Sequence, residues 1–310
     1  MAFFGSGRIR NDYDIFKSYS YYVPGISGVL GLLGLFLLGM VLGIMVQSVL
    51  GIFMSERQLV DYGMIVVYPV QFLPAMVYAS LQSRKNAFFN KGIRLDSRNF
   101  APLGGAVAVI LCIVCILALS MATDWVNWWI LKITSASPAL AQFYELIKAA
   151  INQMTGGPLW SSILVTGLMA AFFEEWLCRG EVLRGLLQKM KPIWAILLSA
   201  LFFALIHGNP WQALNAFFIG CVLGYVYYRT GSLLLTMVMH ATNNITAVVF
   251  SHIDSLKDIE FFKDIMDPTT YGIVSVTSVL VVAAVIYAFS RIPLRSPKGN
   301  CDEVSALSEE

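Results

Sequence analysis

The sequence predicts an all-α polytopic membrane protein, a bundle of about eight transmembrane helices, on three observations. Of 310 residues, 57% are hydrophobic and 13% charged, against about 25% charged in soluble domains. The apolar residues gather into eight runs, most near the ~20 residues that cross a bilayer. No polar linker divides these runs, so one membrane domain is expected over residues 26–292, with cytoplasmic tails at 1–25 and 293–310.

The first run, 26–53, is longer than the apolar core of a signal peptide and has no clear cleavage site, so it reads as a retained span. The runs 59–81, 103–131 and 159–189 follow. The fifth, 192–207, is short and ends at His207-Gly208-Asn209-Pro210, a strong turn signal. The runs 211–228, 233–251 and 272–292 complete the set, and 134–157 is amphipathic, as for a helix along the interface. Glycines 28, 31, 34, 39 and 43 in the first run are expected to allow close helix packing.

Lysine and arginine alternate between the connecting segments. With the N-terminus inside, inner segments hold fifteen of the twenty-one and outer loops five, Arg179 being intramembrane. The positive-inside rule then puts both termini in the cytoplasm, with the cell (inner) membrane as the location. The net charge of +2 comes without a basic cluster, so no nucleic-acid partner is expected. The four cysteines in apolar runs, Cys112, Cys115, Cys178 and Cys221, lack paired metal-ligand spacing and read mostly as small core residues, and Cys301 lies in the C-terminal tail.

Against this apolar background, residues 172–244 concentrate costly groups: Glu174, Glu175, Arg179, His207, His240 and Asn244. Ionised side chains at a bilayer centre cost about 2.5–3.5 kcal/mol each on insertion scales and persist where they pair or work. Glu175 and Arg179, at i and i+4 with the acid first, can pair on one helix face. Glu174 points about 100° away and is left as a general base. It lies fifteen residues before Lys189, and His207 lies fifteen after Pro192. In an antiparallel hairpin equal counts give equal depth, so the two are expected to face each other. Phe203 stands one turn before His207, and His240 and Asn244 share a face. Glu174 with His207 would take a proton from water, while His240 with Asn244 would donate to a tetrahedral oxyanion.

The motifs Glu174-Glu175-x-x-x-Arg179, Phe203-x-x-x-His207 and His240-x-x-x-Asn244 resemble those of the CPBP (CAAX protease and bacteriocin-processing, or Abi) family of intramembrane proteases, which includes type II CAAX prenyl proteases. The resemblance implies an intramembrane glutamate-dependent endopeptidase acting on a membrane-associated protein or peptide. Glu174 and His207 would activate water, His240 and Asn244 would hold the oxyanion, and Glu175, Arg179 and Phe203 would support them. A prenylated C-terminus is the family's best-known substrate.

Alternatives remain on the same residues. Glu174, His207 and His240 could ligate zinc with an open fourth position; the metal-free reading is favoured because Arg179 occupies Glu175, leaving no separate base. A proton-coupled transporter would need a polar path to both surfaces, and the outer halves of these helices read as apolar. A non-catalytic immunity protein would show decayed motifs. Taken singly, His207 could cap its helix and His240–Asn244 could be interhelical glue. Glu181–Arg184 reads as an interfacial pair, Asp124 with Trp125, Trp128 and Trp129 as an outer aromatic belt, and His252 as solvated. Water is expected to reach the site from the cytoplasmic side.

Overall fold

The computed structural model describes residues 22–82 and 100–294, except 257, 258 and 260. All eight apolar runs are helical, and the amphipathic stretch forms a ninth helix. In chain order they are α1 Ile26–Phe53, α2 Glu56–Gln82, α3 Gly105–Thr134, α4 Pro138–Thr155, α5 Leu159–Leu187, α6 Pro192–Ile206, α7 Pro210–Thr230, α8 Leu233–Ser251 and α9 Pro268–Ser290. Local chemistry sets the boundaries. Proline stands at the first position of α4, α6, α7 and α9, where its missing N–H costs nothing. Ser55, Asn209, Ser232 and Asp267 cap first-turn backbone N–H groups that have no partner within their own helix. Gly231, at φ +67°, ends α7 in the left-handed conformation.

Six of the described helices, α1, α2, α3, α5, α8 and α9, are long and apolar enough to cross a membrane. The remaining two expected spans fall short of that description. Helix α7 has 21 residues but carries Gln212, Asn215 and three tyrosines. Helix α6 has 15 residues, a rise of about 22 Å against a hydrocarbon core of about 30 Å. Its C-terminal turn therefore ends within the bilayer. Irregular backbone at that depth is tolerated only where it is buried in protein or lines a cavity.

Cross-contacts define two faces of the bundle. Gly25 lies beside Lys189, and the Arg229 guanidinium donates to the carbonyls of Phe289, Ser290 and Ile292, so α1 begins where α5, α7 and α9 end. On the opposite face the indole N–H of Trp211 donates to Thr134 Oγ1 at 2.6 Å, and Tyr271 donates to Asp124 at 2.9 Å. There α3 and α8 end and α5, α7 and α9 begin. Helix α4 lies over this face, with Phe143 and Tyr144 against Trp211. Its Leu140, Phe143 and Leu146 are exposed, as for a helix resting in the interface. The charge excess that assigned sidedness sits mostly in 83–99 and the two tails, outside the described residues.

Glycine packing is narrower than expected. A Cβ on Gly39 would meet the Gln71 carbonyl oxygen at 1.9 Å, at the break in α2 that follows Pro69. Gly31 and Gly34 have nothing within 4 Å. We predict that Gly39→Ala lowers stability in detergent by about 1–3 kcal/mol through overpacking. Gly34→Ala should be neutral or stabilising by up to about 1 kcal/mol, since alanine is the better helix former. Paired thermal melts measure both.

Candidate active site

Helix α5 changes register twice. Residues Ile163–Met169 and Trp176–Leu183 are π-helical, and the α-helical turn between them, Ala170–Glu175, carries both glutamates. Such departures from α geometry recur at functional sites. Beyond this turn, every residue from Glu175 to Leu187 is buried, which closes the site toward Lys189.

Arg179 Nη1 lies 2.6 Å from Glu175 Oε1, and both side chains are 0% exposed. The guanidinium also donates to the Gly220 carbonyl at 3.1 Å and stacks on the Phe203 ring, 4.5 Å from its centroid. Helix α7 comes this near because Gly220 is bare: a Cβ there would stand 2.9 Å from Ala200 Cα on α6. One cation thus joins α5, α6 and α7.

Glu175 Oε1 also faces His240 Nδ1 at 3.0 Å. An oxygen already paired with a guanidinium accepts, so Nδ1 carries the proton and Nε2 is turned into the site. His207 arrives at the same arrangement by another route. Its Nδ1 donates to the Phe203 carbonyl at 2.7 Å, which caps α6 and leaves Nε2 pointing inward. The Phe203 ring contacts both imidazoles edge-on.

Glu174 lies between the two histidines. Its Oε2 is 3.9 Å from His207 Nε2 and 3.9 Å from His240 Nε2. That oxygen is buried without a hydrogen-bond partner. Its Oε1 accepts a 2.5 Å hydrogen bond from Tyr68, a residue the sequence reading did not single out. Tyr68 is 106 positions away on α2, and a buried tyrosine in a span reads as core, so no sequence signal pointed to it. The side chains of Glu174 and His207 are 13% and 24% exposed, against 4% for His240. The accessible edge thus lies at the His207–Pro210 turn, on the face where α3 ends. The charge pattern assigned that face to the outside, so the expected topology and the expected cytoplasmic route for water cannot both hold.

Asn244, one turn from His240 on the same helix, is held by polar neighbours. Its amide donates to the Thr166 carbonyl at 2.9 Å, inside the first π-helical stretch, where the usual helical bonding of carbonyls is displaced. The adjacent Asn243 donates to Asn244 Oδ1 at 3.1 Å and accepts from Ser120 at 2.9 Å. Three other expectations change. Glu181 and Arg184 are buried, 3.5 Å apart, rather than interfacial. Asp124 is also buried and accepts from Tyr271 and the Phe262 amide. Both His252 nitrogens face carbonyl oxygens, of Val248 at 2.8 Å and Gly157 at 3.1 Å.

Tetrahedral zinc ligands at 2.0–2.2 Å stand about 3.4 Å from one another. The 3.9 Å separations are wider. Among the described residues no three His, Cys, Asp or Glu side chains are grouped to hold a metal ion. In this arrangement Glu174 stands about 0.5 Å farther from His207 and from His240 than zinc ligands stand from one another.

Residues 156–246 match a family model described as type II CAAX prenyl endopeptidase Rce1-like. The matched stretch contains all seven motif residues from Glu174 to Asn244, and with the six spans it marks a multi-pass membrane protein similar to a family of proteases. No curated protein and no solved structure matches the chain significantly.

Removing one member of a buried ion pair strands the other. Arg179→Met is therefore expected to lower stability by about 3–5 kcal/mol, and Glu175→Gln combined with Arg179→Met by less. Unfolding of the purified variants in detergent measures this.

Proposed function

We propose that the protein is an intramembrane endopeptidase in which Glu174 activates water against a peptide bond of a membrane-associated protein or peptide. One observation carries the reading: a partnerless carboxylate oxygen, buried at bilayer depth, lies between two inward-turned imidazole nitrogens. A gap of 3.9 Å is too long for a direct hydrogen bond and suits a bridging water.

In this reading Glu174 Oε2 takes a proton from water as the oxygen adds to the substrate carbonyl. His207 Nε2 orients the water. His240, whose Nδ1–H is held by Glu175, stabilises the oxyanion from Nε2 in its imidazolium form. The proton taken by Glu174 passes to the leaving amine as the C–N bond breaks. Asn244 fixes α8 to α5 through the Thr166 carbonyl, and its second amide N–H is left to join His240 at the oxyanion. The separations that exceed a zinc site favour this metal-free route over the zinc alternative on Glu174, His207 and His240. A proton-relay transporter is disfavoured because every residue from Glu175 to Leu187 is buried, which closes the site toward Lys189. The description of the matched family makes a prenylated C-terminal peptide the first substrate to try.

In reconstituted vesicles, Glu174→Ala and His207→Ala should each lower kcat about 10²–10⁴-fold, with a chelator leaving the wild type unchanged. Full turnover in either variant would overturn the assignment, and loss on chelation would restore zinc. Tyr68→Phe should lower kcat several-fold with KM and melting temperature little changed, because it frees Glu174 Oε1 while keeping the ring.

A further inference from the structure

The mechanism leaves unused a row of neutral polar groups that starts beside the catalytic centre. On α3, an apolar span, Ser120, Thr123 and Asn127 stand at i, i+3 and i+7 and share one face. Ser120 donates to Asn243 on α8, and Thr123 donates to Asn215 on α7 at 2.7 Å. Asn243 is one turn beyond His240. The expectation that the outer halves of these helices are apolar is thus corrected along this face.

Three features distinguish the row from simple interhelical glue. Ser120, Asn127, Asn215 and Asn243 are only half-buried although they lie within helices of the bundle. An amide turned to lipid is costly, so such groups face the bundle interior or a water-filled cavity. The lipid-facing side of α3 is a different one, carrying exposed Val107, Ile110 and Val114. Finally, Asn127 Oδ1 is buried with no hydrogen-bond donor, and buried acceptors left empty are uncommon.

The row holds no free ionic group, since the carboxylate of neighbouring Asp124 is taken by Tyr271 and the Phe262 amide. Hydroxyls and amides offering both donors and acceptors match a peptide main chain. From Ser120 to Asn127 the helix rises about 10 Å, the length of about three extended residues. On the basis of the peptidase reading above, we propose that the groove between α3, α7 and α8 is a substrate subsite. It holds about three uncharged residues of extended peptide running from the catalytic centre toward the face where α3 ends, with Asn127 Oδ1 accepting one substrate N–H.

An ester scan of a cleaved peptide tests this by replacing one backbone N–H at a time with oxygen. In the wild type, one position should lose about fivefold to tenfold in kcat/KM, the cost of a single neutral hydrogen bond. In Asn127→Leu the same ester should cost less than about twofold. A photoreactive residue at 127 should also crosslink the substrate, whereas one at Val107 should not. A flat scan, an equal ester cost in Asn127→Leu, or a uniform fall in kcat from a water-only route would overturn the subsite. If the wild type cleaves no peptide at all, it is the peptidase reading that fails.

Discussion

Four helices meet on the ion pair between Glu175 and Arg179, and the site depends on it. With both side chains fully buried, neither can be left alone without a cost of several kcal/mol. The pair is therefore also a constraint on geometry. Arg179 reaches Gly220 on α7 and Phe203 on α6, while Glu175 reaches His240 on α8. Each contact that neutralises a buried charge also fixes a helix carrying part of the reaction centre. Glu174, the carboxylate proposed to act on water, is then the neighbour left without a cationic partner on the same turn.

A second constraint is the length of α6. A helix of fifteen residues cannot reach the far side of the bilayer, so His207, Gly208 and Asn209 form a turn at depth. That turn brings an imidazole to the level of Glu174 and leaves the site open on one side. The opposite side is sealed by the buried second half of α5.

Much of this could be read from the chain. The Glu174–His207 approach follows from counting residues on either side of a helical turn, because rise per residue is nearly constant. The Glu175–Arg179 pair follows from i, i+4 spacing. What could not be read depends on contacts between distant helices or on local register. Tyr68 meets Glu174 across 106 positions, and nothing in α2 marks it. The partner of Asn244 depends on a π-helical stretch, whose displaced carbonyl at Thr166 has no sequence signature here. Glu181 and Arg184 were placed by distance from the helix end, but Pro24 and Tyr22 cover that end. Sidedness rested on charges outside the described residues.

The central claim is that Glu174 acts as a base toward water and not as a nucleophile. A single turnover with excess enzyme in ¹⁸O-water tests it directly by mass spectrometry of product and protein. The account predicts one ¹⁸O in the new product carboxylate and none in Glu174. An unlabelled product together with ¹⁸O in the Glu174 carboxylate would contradict it, since that outcome requires an acyl-enzyme anhydride.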